Sequence, residues 1–163
     1  MNKKRYLSIA LLVNVLLSVE AVADHLSFST DLSGAQEAPE VITGAGGSAL
    51  FNFDSALSEA SFDLRVFGSG ITQAHLHCAP AGVNGPIVVF LFGPVNPGEN
   101  LIGTPIKGTI INDDVIPPED NPSCGRTINN IASLFAAMRA GEIYVNVHSS
   151  DNPSGVIRGQ VFE

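Results

Sequence analysis

The residues with the clearest capacity for chemistry are three of the chain's four histidines. His75 and His77 are separated by one residue, and His148 lies near the carboxyl end. On a β-strand, side chains two positions apart point to the same side, so both rings of the pair project from one face. His148 joins them if its strand neighbours theirs. Because neutral imidazoles are ligands for copper and zinc, the pattern predicts a transition-metal site, with copper preferred and zinc as the alternative.

The first 23 residues have the pattern of a secretory signal peptide. Three basic residues open the chain, a 13-residue apolar stretch runs from Leu7 to Val19, and small residues end the segment at Ala21–Ala23. The apolar stretch is shorter than the roughly 20 residues that span a bilayer, so we expect a protein that is not embedded in a membrane. We predict export to the periplasm or the extracellular space, with residues 24–163 forming a single domain.

The charge of the exported part excludes one class of partner. The whole chain has a net charge of −8, and removal of residues 1–23 leaves five basic and fifteen acidic side chains, a net charge of −10. Such a surface repels phosphate backbones, so we predict no nucleic-acid partner. The expected partners are a metal ion and, through an exposed edge strand, either a second copy of the chain or an extracellular protein.

The remaining histidine and the two cysteines bear on the metal prediction. His25 would be the second residue after cleavage, so it lacks the terminal amine that a first-position histidine offers, and we assign it at most an auxiliary ligand role. An even number of cysteines outside the reducing cytosol favours a disulfide between Cys78 and Cys124. In the alternative interpretation Cys78, which directly follows His77, is a thiolate ligand.

Other polar residues form no recognisable catalytic motif. Ser149 and Ser150 lack the Gly-x-Ser-x-Gly turn of a nucleophile elbow. Four acidic residues crowd one loop without the ligand spacing of an EF-hand; they are Asp113, Asp114, Glu119 and Asp120. Arg158 lies among apolar residues and requires either a carboxylate, such as Glu37 or Asp63, or several carbonyl oxygens. We therefore predict no catalytic residues and a structural role for Arg158.

The elements that must position these residues are mostly strands. Apolar and polar residues alternate over much of the chain, with separate strands expected near 62–66 and 71–78. Ile87–Phe92 is apolar without a break, which predicts a central strand buried on both faces. Thr127–Ala140 carries an apolar stripe at helical spacing, capped by its first residue and ended by Gly141. The pattern predicts an all-β, Greek-key or immunoglobulin-like sandwich of seven or eight strands with one short helix at about 127–140.

Three ordered blocks of sequence resemble one known family. The first is Leu32–Pro39, the second is Ala74–His77 leading into Gly85–Val89, and the third is Tyr144–His148 followed by Asn152–Gln160. They resemble the CHRD domain, which was first described in chordin and also occurs as a single module in exported bacterial proteins. The resemblance covers residues 26–162 and implies an immunoglobulin-type β-sandwich.

A looser resemblance is to copper/zinc superoxide dismutase, which also has a His-x-His strand and a later histidine at a strand end. Those positions are copper ligands in that enzyme, and by analogy they correspond to His75, His77 and His148. The sequence has no counterpart of the bridging histidine, of the zinc-ligand set or of a basic channel that steers an anion. Three hypotheses follow: a metal-binding module, a structural or interaction module without metal, and a dismutase-like copper enzyme.

Overall fold

The computed structural model describes residues 26–117 and 122–163. The signal-peptide prediction for residues 1–23 and the prediction for His25 lie outside the described residues. Within these residues the chain forms eight strands, one α-helix and three short 3-10 helices, which confirms the all-β class. The strands are β1 (Ser27–Ser33), β2 (Gly46–Phe53), β3 (Glu59–Cys78), β4 (Ile87–Phe92), β5 (Glu99–Ile102), β6 (Ile106–Ile111), β7 (Ile143–Ser149) and β8 (Ile157–Gln160), the helix is α1 (Ile131–Arg139), and the 3-10 turns are Gly34–Gln36, Asn112–Asp114 and Pro122–Cys124.

Strand β3 is the element around which the sheet is organised. It runs for 20 residues and includes both segments that the sequence pattern separates. The first part of β3 pairs with β2 and β6, and its last part pairs with β7 and β4. Near its middle, Gly70 has a φ of +63° and the pairing register shifts, which lets the strand bend and continue.

The continuity of β3 closes the sheet into a barrel. Strand β1 pairs with β2 and meets β8, β8 pairs with β7, and both β2 and β7 pair with β3. These five strands therefore form a closed ring. The predicted sandwich of two separate sheets is not confirmed, because one long strand belongs to both of the sheets that a sandwich would hold apart.

The apolar segment Ile87–Phe92 is not a central strand, so that prediction is wrong. As β4 it lies at the end of the strand order and pairs only with β3 among the named strands. Phe90 is 47% exposed, whereas Val88 and Val89 are fully buried. The segment after β6 covers part of the free edge, where the Ile116 N–H donates to the Val88 carbonyl at 2.8 Å.

The helix begins later than the sequence pattern suggests, because Asn130 and not Thr127 is its N-cap. The Asn130 side chain accepts a hydrogen bond from the Ser133 N–H at 2.8 Å. Gly141 ends the helix as predicted, with a φ of +69° and its N–H donating to the Met138 carbonyl. The buried face of α1 packs on the core, where Phe135 meets Phe28 and Phe53 edge-on. None of the helices among the described residues has the length and apolar character needed to cross a membrane.

The predicted disulfide between Cys78 and Cys124 is confirmed. It joins the last residue of β3 to the 3-10 turn that precedes α1, and both half-cystines are buried. Cys78 therefore has no free thiolate, so its alternative role as a metal ligand is excluded in this oxidised state.

The observed cap gives a direct test of the helix boundary. We expect Asn130→Ala to lower the free energy of unfolding by about 1 kcal/mol, since Ala cannot accept the Ser133 N–H. Thr127→Ala is the matched control and should change it by less than about 0.5 kcal/mol, because Thr127 is exposed and precedes the helix. Urea denaturation followed by circular dichroism measures both. If Thr127→Ala lowered the free energy of unfolding more than Asn130→Ala did, Asn130 would not be the N-cap.

Candidate metal centre

The pairing of β3 with β7 brings the three histidines onto one surface. In this antiparallel pair His75 lies opposite Asn146 and His77 opposite Tyr144, and His148 lies opposite Gln73. The intervening residues of both strands are buried apolar side chains of the core: Ala74, Leu76, Val145 and Val147. Strand alternation therefore turns the histidines to the outer side of the barrel wall.

The three rings are close enough to share one ion. One ring nitrogen from each of His75, His77 and His148 lies within 4.8 Å of the other two. The shortest separation joins His75 Nδ1 to His148 Nε2 at 3.3 Å. Two nitrogens that each lie about 2.0–2.1 Å from a tetrahedral metal are about 3.3–3.4 Å apart. This pair therefore already has the spacing of two ligands on one ion.

Backbone carbonyls fix the tautomers of two rings. His77 Nδ1 donates to the Gly85 carbonyl and His148 Nδ1 donates to the Pro153 carbonyl, both at 2.9 Å. Since a carbonyl oxygen can only accept, both rings carry their proton on Nδ1 and have a lone pair on Nε2. Backbone carbonyls, and not the side chains of the nearby Gln73 and Asp151, therefore accept the Nδ1 protons of these two rings.

Two of the ring nitrogens are buried without a hydrogen-bond partner among the described residues. They are Nε2 of His75 and Nε2 of His77. The His75, His77 and His148 residues are only 1%, 8% and 7% exposed. Buried polar atoms are normally satisfied, and an ion coordinated by Nε2 of His77 would satisfy that atom.

All three rings are neutral at pH 7. Burial, helped by repulsion from the neighbouring rings, lowers the pKa of His75 to about 4. Burial also lowers the pKa of His77 to about 4 and lowers the pKa of His148. A neutral imidazole can coordinate a metal without first losing a proton, so these shifts favour coordination.

Two aromatic rings that the sequence analysis did not assign to the site enclose it. Phe90, opposite His75 on β4, lies edge-on to it with ring centroids 4.5 Å apart. Tyr144 stacks on His77 at 4.9 Å with an angle of 10° between the ring planes. Both aromatics are cross-strand neighbours of histidines, so only the pairing register could have identified them.

Arg158 has the structural role that its position predicts. Its guanidinium lies 3.4 Å from the centre of the Tyr144 ring and donates to the carbonyls of Val83 and Pro80 at 2.9 and 3.3 Å. These two carbonyls and the Asn84 side chain hold the guanidinium, and the charge of Glu37 stabilises it further, whereas Asp63 pairs with Arg65 and Lys107. This contact holds the loop whose next residues include Gly85, the partner of His77.

Glu37 approaches the same surface through Asn146. Its Oε1 accepts a hydrogen bond from Asn146 Nδ2 at 2.7 Å, and burial raises the pKa of its carboxyl. Gly155 packs against this pair: a Cβ there would come within 2.7 Å of Glu37 Oε1 and 2.8 Å of Asn146 Nδ2, and its φ is +135°. The glycine is therefore required by space and by backbone conformation together.

The sequence comparison places this surface in a known family. The family model of the CHRD domain matches residues 28–161. The chain belongs to the CHRD-domain family. Searches of the curated proteins and of the solved structures return no match. The matched region of this CHRD domain contains the three clustered histidines, both cysteines and Arg158, so the whole candidate site lies within it.

The neutral histidines predict how the stability of the metal-free CHRD domain depends on pH. An unfolded histidine binds a proton near pH 6.5, whereas folded His75 and His77 do so only near 4. The unfolded state therefore binds more protons between these values, and the free energy of unfolding should fall by up to roughly 1.4 kcal/mol per pH unit for each such ring as the pH is lowered.

Urea denaturation of the metal-free protein over this pH range provides the measurement. The matched control is the double variant His75→Gln and His77→Gln, which should show a shallower loss of stability because it lacks two titrating groups. A wild-type stability that stays constant down to about pH 4 would contradict buried neutral rings.

Proposed function

We propose that this CHRD-domain protein is an exported module that binds a transition metal through His75, His77 and His148. Copper is the preferred ion and zinc is the alternative. The observation that carries the proposal is the convergence of three buried, neutral imidazoles with one nitrogen each within 4.8 Å. Export is supported by the leader-like residues 1–23, by the intramolecular disulfide and by the family, and we propose residues 24–163 as the mature single domain.

The protons of the cluster can be rearranged without creating charge. His148 Nδ1 carries its proton, so His148 Nε2 accepts from His75 Nδ1 in the metal-free protein. Coordination by all three rings requires that this shared proton leave Nδ1 of His75. The orphaned Nε2 of the same ring can take it, and the ring stays neutral. A site that only changes a tautomer is suited to reversible metal handling.

The metal-free structural module is the weaker hypothesis for this surface. The contacts around the cluster that involve Tyr144, Arg158 and Asn146 are ordinary structural contacts. They supply no hydrogen-bond partner to Nε2 of His75 or to Nε2 of His77. A purely structural role leaves Nε2 of His77 unsatisfied, at a cost of about 1–3 kcal/mol, whereas coordination would satisfy it. Association with a second copy or an extracellular protein stays a prediction, as does an auxiliary role for His25.

The dismutase-like hypothesis has less support than metal binding. The cluster in the described part of the chain consists of three histidines, without the additional ligands that a second, bridged metal would need. The exported part has a net charge of −10, which does not attract a superoxide anion. We therefore propose metal handling or an accessory role, with no catalytic residues assigned.

Metal analysis of the exported protein tests the proposed site. We expect the wild type to bind about one copper ion per chain. Loss of a contact that only supports a ligand lowers metal affinity by about tenfold to hundredfold. We expect a larger loss of affinity for His75→Ala and His148→Ala, because each removes a ligand itself. His25→Ala serves as control and should bind nearly as well as the wild type. Equally weak binding by the wild type and by the variants would show that the site does not exist.

Superoxide turnover separates binding from catalysis. We expect the copper-loaded protein to consume superoxide no faster than free copper chelates, because no basic surface steers the anion to the ion. Stopped-flow assays at low and high ionic strength make the comparison. Turnover well above that of the chelates, and abolished in His148→Ala, would instead support the enzyme.

A further inference from the structure

The charges around the three-histidine cluster determine which ionic charge the site favours. This inference rests on the proposed function, in which the cluster binds a metal ion. All three candidate ligands are neutral. Among the described residues, no thiolate or carboxylate belongs to the group of atoms within 4.8 Å, and the neighbouring Cys78 is oxidised to a disulfide. An ion bound by these residues alone would therefore keep its whole charge.

The nearest supporting contacts add a positive charge to this surface. The Arg158 guanidinium lies against the Tyr144 ring, and the same ring stacks on His77. Arg158 is only 1% exposed, so its charge is weakly screened by water. The Glu37 carboxyl reaches this face through Asn146, which donates to its Oε1, and its charge is offset by that of Arg158. The surroundings thus offer little negative charge to balance a cation.

The cost of burying an ion rises with the square of its charge. A divalent ion in the same cavity therefore carries about four times the desolvation cost of a monovalent one of similar size. Zinc and cupric sites commonly offset this cost with a carboxylate, a thiolate or a bound hydroxide. Phe90 and Tyr144 cover the rings with apolar surface and supply no such group.

We infer that the cluster of His75, His77 and His148 selects the monovalent cuprous ion over the cupric and zinc ions. Cuprous copper has a filled d shell and accepts three-coordinate, nitrogen-rich sites without an anionic ligand. The selectivity arises from neutral ligands, apolar walls and a buried cation close by. Its cargo would be copper already in the reduced state, and no electron transfer by the protein is involved.

Phe90 provides the position for a test. It is 47% exposed and its ring lies 4.5 Å from that of His75, so its replacement puts a new group beside the site without emptying the core. Phe90→Glu introduces a carboxylate, and Phe90→Gln is the neutral control of the same shape. Affinities for cuprous ion supplied anaerobically from a chromophoric chelator, for cupric ion and for zinc are measured by competition for the wild type and both variants.

We expect the wild type to bind cuprous ion most tightly. Two affinity ratios are compared, cuprous to zinc and cuprous to cupric. Each ratio should be at least tenfold smaller in Phe90→Glu than in Phe90→Gln, which corresponds to about 1.4 kcal/mol. A wild type that prefers zinc or cupric ion overturns this inference and leaves the proposed metal site standing. Equal preferences in the two variants overturn it as well.

A failure of the proposed metal site gives a different result from a failure of the cuprous preference. In that case none of the three ions binds to the wild type more tightly than to His148→Ala. Circular dichroism confirms that each variant is folded, and if Phe90→Glu does not fold, the wild-type order of affinities decides the inference by itself.

Discussion

The antiparallel pairing of β3 with β7 is the interaction on which the candidate site depends. Its inner face is held in register by fully buried Leu76, Val145 and Val147 in the core. Because side chains alternate along a strand, a slip of one residue would turn the histidines into the core and the aliphatic residues outward. The free energy that fixes the core therefore also fixes the outward positions of His75, His77 and His148.

The outer side of this strand pair is buried by loops and not by another sheet, which sets the electrostatics of the site. Gly85 and Pro153, in the loops after β3 and β7, supply the carbonyls that fix the tautomers of His77 and His148. Arg158 holds the first of these loops through its carbonyls, and the disulfide fixes the last residue of β3. Water is thereby excluded from the rings, which is the main cause of their lowered pKa values. A surface that water reached freely would hold ordinary, titrating histidines.

The parts of this arrangement that depend on local pattern could be predicted from the sequence. A period of two put His75 and His77 on one face, the cysteine count indicated the disulfide, and a glycine at 141 ended the helix. Choices between nearby residues of similar chemistry were harder, since both Thr127 and Asn130 can cap a helix and only the packing of α1 selects Asn130.

The parts that depend on register and closure could not be predicted. Period two does not show that 62–66 and 71–78 belong to one strand, so the barrel was missed. The partners of Tyr144, Phe90 and Arg158 come from other strands and loops, and no spacing in the sequence records them.

The most direct measurement is a crystal structure of the copper-loaded protein with anomalous diffraction recorded at the copper edge. The account predicts one anomalous peak on the outer side of β3 and β7, about 2.0–2.1 Å from one ring nitrogen each of His75, His77 and His148. A peak held by other residues, or by the first two histidines without His148, would contradict it.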